Sequence, residues 1–246
     1  MKRIGALFFM VVSFPLMASE TLNVIKPTVL VALKEGSEQY QGVCNALKKK
    51  CEREAKIWKV RGGEDIFYFT NPSLELIKIR KVSGAYIQDG LWEFGNYKHS
   101  YEGADPDEEL NDNGVYIYPA LYPLSKTKQA VALVSNWGVG YSGGGLEYEY
   151  ADFMMLNNDG SYEAAFKNIP FSSMQMIRAC FSEEDYAKNL HCHNGWWNIL
   201  NLKFIDDGKE YYSYKFIQKS YGWPSFTDKS AIKVEISESI EYPFQQ

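Results

Sequence analysis

Gly140-Tyr141-Ser142-Gly143-Gly144 matches the pattern G-x-S-x-G. In α/β-hydrolases that pentapeptide is a sharp turn from a strand into a helix, and it lifts a serine nucleophile toward a histidine. Acid and base partners stand in the right chain order, since Asp185 and then His191 or His193 follow Ser142. With 31 acidic residues in the chain, however, an intervening carboxylate carries little information. The flanks decide the reading. The apolar run at 131–134 suits a strand, but Gly143, Gly144 and Gly145 are poor helix formers, and 146–150 alternate aromatic or apolar with charged residues at strand period. Strand, glycine loop, strand is the expected order, with Ser142 in a hairpin-type loop where glycines supply positive φ. Ser142 is therefore a decoy candidate, and an exported serine hydrolase is the alternative to the main reading.

The remaining polar motifs are thin. His191-Cys192-His193 sets two imidazoles two residues apart, but zinc needs a further ligand and Cys192 is better used in a disulfide. The polar stretch 103–114, GADPDEELNDNG, invites calcium. One EF-hand frame puts Leu110 where glycine is required, and the other lacks the terminal glutamate at Ala120. A solvated surface loop is expected there, with an irregular calcium site as the alternative. Neither a metal nor a cofactor is expected, because no P-loop and no dinucleotide fingerprint occurs.

The elements that must position these residues begin after a leader. Lys2 and Arg3, the apolar run 4–17 and the small Ala18 form a secretory signal peptide over residues 1–18, leaving 19–246 as a single globular domain. The apolar run is shorter than the roughly 20 residues of a membrane span. No membrane insertion is expected once the leader is removed, and the location is periplasmic or secreted. Without the leader the net charge falls to about −7, which disfavours nucleic acid and anionic membranes as partners.

Four cysteines, Cys44, Cys51, Cys180 and Cys192, read as two disulfides in an exported chain, with three pairings open. Local pairing is favoured. Cys180 and Cys192 would clamp the loop FSEEDYAKNLH. Cys44 and Cys51 would stand about 10 Å apart on one helix, beyond the reach of a disulfide. The helix starting after Ser37 is therefore expected to end near residues 49–50.

Short strands are expected at 28–33, 57–60, 66–69, 74–79, 85–94, 115–118, 131–134, 146–150, 162–166, 199–205, 210–218 and 231–236. Turns fall at Gly62-Gly63, Ser83-Gly84, Asp89-Gly90, 157–160 and 206–208. Residues 172–179 read as helical, and Ser182 with Asp185 resembles a capping box for a short helix. The class is mostly β or α+β, an antiparallel β-sheet or sandwich with two or three short helices.

With its leader, its four cysteines and its acidic, aromatic-rich β character, the chain resembles the periplasmic immunity proteins that bacteria pair with type VI secretion effectors, especially lipase-type ones. The segments NWGVGYSGGG at 136–145, IRACFSEEDY at 177–186 and HCH at 191–193 resemble exported proteobacterial proteins. What the resemblance implies is a binding or inhibitor protein that neutralises a secreted toxin by plugging its active site; it carries over no site residues. The candidates for that contact are the acidic residues Asp105, Asp107, Glu108, Glu109 and Asp112, which would steer a basic partner, and Trp137 and Tyr141 of the glycine loop, which would hold it. A cell-wall or carbohydrate-binding module using Trp196, Trp197 and Trp223 is the other alternative.

Overall fold

The run at 131–134 is buried on both sides, and the architecture follows from that. Val131 and Leu133 belong to one apolar core, and Ala132 and Val134 to another. A strand covered on both faces carries consecutive rather than alternating apolar residues. The computed structural model describes residues 24–47, 51, 54–63, 65–99 and 109–245, so the expected leader lies outside the described residues.

In chain order the elements are β1 (Thr28–Ala32), α1 (Glu38–Leu47), β2 (Lys56–Val60), β3 (Ile66–Thr70), β4 (Glu75–Val82), β5 (Ala85–Glu93), β6 (Asn111–Pro123), β7 (Gln129–Tyr141), β8 (Gly144–Leu156), β9 (Tyr162–Arg178), α2 (Glu183–Lys188), β10 (His193–Ile205), β11 (Ser213–Trp223) and β12 (Lys233–Glu241). All twelve strands form one open sheet in the order β12-β11-β10-β9-β8-β7-β6-β1-β2-β3-β4-β5. Every neighbouring pair is antiparallel. The class is mostly β, as expected, in the form of one sheet.

A sheet this wide buries apolar area only by rolling up. Strands β1–β5 roll over the face of Val131 and Leu133, packing Leu30, Leu76, Trp92 and Phe94 on Met154 and Leu156. The roll is latched where the Trp92 indole N–H donates to the Asn157 carbonyl at 2.8 Å and the Phe94 and Tyr162 rings meet at 4.5 Å. Strands β10 and β11 curl over the opposite face. β10 pairs with β9 only through 172–178 and then departs, carrying Phe204, Tyr214 and Phe216 onto Phe153 and Phe166. Tyr214 Oη donates to the Pro123 carbonyl at 3.2 Å, and the Tyr212 N–H to that of Leu124 at 2.7 Å.

Helix α1 closes a third core on the outer side of β2–β5, with Val43 and Leu47 on Ile57, Phe67 and Phe69. Ser37 caps it, its hydroxyl accepting the Tyr40 N–H at 3.3 Å. The helix ends at Leu47, which brings the Cys44 and Cys51 Cα atoms to 5.5 Å and lets that disulfide form. The second disulfide joins Cys180 and Cys192, so both pairings are the local ones.

Four expectations are corrected. Residues 172–179 are not helical: β9 runs to Arg178, because β8 on one side and β10 on the other supply ladder partners that override the helix propensity of Met and Gln. Asp89-Gly90 is not a turn but a bulge inside β5, and Arg80 and Lys78 both donate to the Asp89 carboxylate. The stretch 103–114 is not all loop. β6 already starts at Asn111, where Gly114, at φ 96°, donates its N–H to Asp112 Oδ1 at 2.8 Å. The glycine cluster is not a loop either: only Ser142 and Gly143 form the turn, and the other glycines lie within β7 and β8.

Candidate partner-binding end of the sheet

Tyr141 pairs with Gly144 across a two-residue turn whose second position, Gly143, holds φ at 94°. A strand, not a helix, follows the turn, so Ser142 sits exposed at a hairpin tip. Gly144 is needed for a different reason. A Cβ there would lie 2.0 Å from the Met176 carbonyl oxygen and 2.7 Å from the Tyr141 ring. Tyr141 lies across the hairpin, its hydroxyl 3.4 Å from that same carbonyl, and is partly exposed. The glycines also leave the sheet surface bare. Gly138, Gly140 and Gly145 floor a groove of about 430 Å³ walled by Asn111, Glu147, Met174 and Met176.

Next to this hairpin stands the loop expected as a disulfide clamp with a short capped helix, and not expected as part of a binding surface. The Arg178 N–H donates to the Gly143 carbonyl at 2.7 Å, and the Ala179 N–H to that of Cys192 at 2.8 Å. The buried Cys180–Cys192 bridge then closes residues 181–191 into a loop. Inside it Ser182 and Asp185 form the expected capping box: the Asp185 N–H donates to Ser182 Oγ at 3.2 Å, and the Ser182 N–H to Asp185 Oδ2 at 3.0 Å. His191 stacks on Trp223 with ring centroids 3.6 Å apart. The Phe226 N–H donates to the His191 carbonyl at 2.8 Å.

The loop is thus fixed at both ends and within, yet it buries no residue of α2. Phe181 is 73% exposed, Tyr186 is 51% exposed, and Leu190 is fully exposed. Glu183, Glu184 and Asp185 stand among them. The trace of this in the sequence is slight: the helix opened by the capping box is only six residues long and offers little surface to a core.

Asp185 is the internal clasp. The Phe181 N–H, then the Ser182 hydroxyl and N–H, hold its carboxyl below the usual carboxylate range. Because the folded value is depressed, the carboxylate's contribution is complete above the unfolded value of about 4 and fades as pH falls through the folded one. Amide exchange at Phe181 and Ser182 is expected to accelerate in that acidic window while core amides stay protected. Asp185→Asn should produce the same local loosening at neutral pH, and unchanged exchange at these two amides would contradict it.

Of the acidic candidates, Asp105, Asp107 and Glu108 lie outside the described residues. Glu109 is exposed, and Asp112 pairs in register with Trp137, so the end of the acidic segment does reach the glycine hairpin. Trp137 is not a free-standing anchor. Its ring packs 5.2 Å from His99, whose Nε2 lies 2.9 Å from Asp112 Oδ2. The tryptophans do not make one platform. Trp197 stacks on Tyr221 at 5.1 Å and Trp223 on His191, while Trp196 lies over Gly222 on the other side of the sheet.

A polar cleft of about 610 Å³ opens between Tyr97 and β7–β9. Its carboxylate, Asp152, has a structural task. It accepts the Asn168 N–H at 2.6 Å where β9 bulges with Asn168 at φ 50°. Burial, together with the Asp152 carboxylate, pushes the Tyr97 phenol up. Among the described residues no group of three His, Cys, Asp or Glu side chains is placed to hold a metal, and no helix is long and apolar enough to cross a membrane. No protein-family model, curated protein or solved structure matches the chain.

Proposed function

We propose that the protein is an exported inhibitor of the immunity type, which neutralises a secreted antibacterial toxin by seating the 181–191 loop in the toxin's active-site cleft. The observation that carries this reading is that loop: a disulfide-closed, hydrogen-bonded turn that holds Phe181, Tyr186 and Leu190 in solvent. Apolar groups exposed on a rigid support lower the ordering cost of binding, because the loop has little conformational freedom left to lose. Aromatic and aliphatic tips that enter a pocket carry most of an interface's energy. The partly exposed Tyr141 and the acidic start of β6 border the same end. Two disulfides fit an oxidising compartment, which supports the periplasm as its location.

The chain's excess of acid over base predicts a basic rim on the toxin. Phe181→Ala and Leu190→Ala should each weaken the complex by about 2 kcal/mol or more, roughly 30-fold, chiefly through faster dissociation. Glu183→Gln with Glu184→Gln should instead slow association and flatten its salt dependence. The experiment is surface plasmon resonance against each secreted protein whose gene adjoins this one, followed by challenge of cells lacking the protein. Survival of those cells, or loop variants that bind like the wild type, would sink the reading.

A further inference from the structure

The two edges of the sheet are built differently. Edge strand β5 is interrupted by the Asp89 bulge and covered by α1, where Gly42 leaves room for the Tyr86 ring. Edge strand β12 has none of these protections. Its nine residues contain neither glycine nor proline, and it pairs with β11 without a register shift from Tyr214↔Glu241 to Gly222↔Lys233. It is exposed on both faces from Lys233 to Ile240, with Val234, Ile236 and Ile240 on one side, together with Glu238, which pairs with Lys215 of β11. A long, straight, uncovered edge is a template for another strand, and the charges it carries limit which strand that can be.

We propose that β12 pairs antiparallel with β12 of a second copy, about a two-fold axis at Ser237, joining two sheets into one. Read along the strand, Lys233 then faces Glu241 of the second copy, Val234 faces Ile240, Glu235 faces Ser239, Ile236 faces Glu238, and Ser237 meets its own counterpart. All nine residues are used, each end carries an opposite-charge pair, and no two carboxylates oppose each other. Moving the axis to Glu238 sets Glu238 against itself and Glu235 against Glu241. Moving it to Ile236 takes Lys233 off the carboxylate and leaves Ile240 and Glu241 outside the paired stretch. The charge pattern of the strand therefore selects one register and a copy of itself as occupant. This inference uses none of the loop residues assigned to toxin binding.

The test is sedimentation velocity on the oxidised full-length mature protein over a concentration series. A monomer–dimer equilibrium is expected. Lys233→Glu and Glu241→Lys should each weaken it by about tenfold, because both symmetry-related end pairs turn repulsive. The double swap Lys233→Glu/Glu241→Lys should bring the dimer back, a rescue that damage to folding would not give; circular dichroism verifies that each variant is folded. A wild-type monomer at the highest soluble concentration overturns the proposal and leaves the edge to some other strand. So does a dimer insensitive to both single reversals, or a double swap no better than the singles.

Discussion

Phe153→Ala is expected to cost about 3–5 kcal/mol of stability, a large part of what a domain of this kind possesses. Phe153 has no exposed surface, and its ring meets Tyr122 of β6 at 5.0 Å, Phe166 of β9 at 6.1 Å and Tyr214 of β11 at 6.0 Å. It is thus the point where the central strands touch the strands that curl over them. Truncation leaves a void lined by large rings on three different strands, which cannot close in without disturbing the sheet. The Tyr214 phenol is already pushed up by burial and spends its hydroxyl on the Pro123 carbonyl, so its ring is tied in place. Urea unfolding monitored by tryptophan fluorescence is the measurement. A shift of less than about 1 kcal/mol at constant m-value would mean that β11 does not pack on β8 as described.

Gly144→Val is expected to cost about 3 kcal/mol or more, whereas Ser142→Ala, two residues away, should stay within about 0.5 kcal/mol. The contrast separates structure from chemistry in the pentapeptide. Any Cβ at 144 drives into the Met176 carbonyl oxygen, which is backbone of the neighbouring strand and is fixed by pairing with both β8 and β10. The strands must part, and the Tyr141 ring resting on Gly144 must leave. Ser142 is exposed at the tip. Thermal melts of the two variants decide the point. A fluorophosphonate probe that labels the wild type and not Ser142→Ala would make the hairpin catalytic and promote the hydrolase alternative.

Local chemistry was readable in advance where it depends on a few consecutive residues. The capping box at Ser182 and Asp185, the hairpin turn at 157–160, the helix stop before Cys51 and the strand at 131–134 all depend on neighbours in sequence. The errors lie where distant strands decide. Residues 172–178 carry helix-tolerant side chains, and only their two ladder partners make them a strand. The rolling of the sheet rests on contacts such as Phe94 with Tyr162 and Phe153 with Tyr214, which no periodicity encodes.

The site shows the same division. Tyr141 and the Asp112 end of the acidic segment do reach one end of the fold, but Trp137 is packed on His99, a residue that arrives there only through the chain after β5. The loop at 181–191 was legible as a clamp. The exposure of its apolar residues was not, because it depends on what the rest of the chain leaves uncovered: Leu190 is fully exposed, and Phe181 meets only the Arg178 guanidinium, 5.0 Å from its ring centre, among the described ring contacts.

The central claim is that the stapled loop blocks a toxin's active site, and the direct measurement is a titration of toxin catalysis. Increasing amounts of the oxidised protein are added to a purified toxin that the protein captures in the binding experiment, and turnover is recorded. The account predicts a linear loss of activity that ends at one inhibitor per toxin. With Phe181→Asp/Leu190→Asp, altered at exposed positions and verified as folded by circular dichroism, it predicts inhibition weakened by roughly 30-fold or more. Undiminished turnover in excess wild-type protein, or equal inhibition by the loop variant, would contradict it.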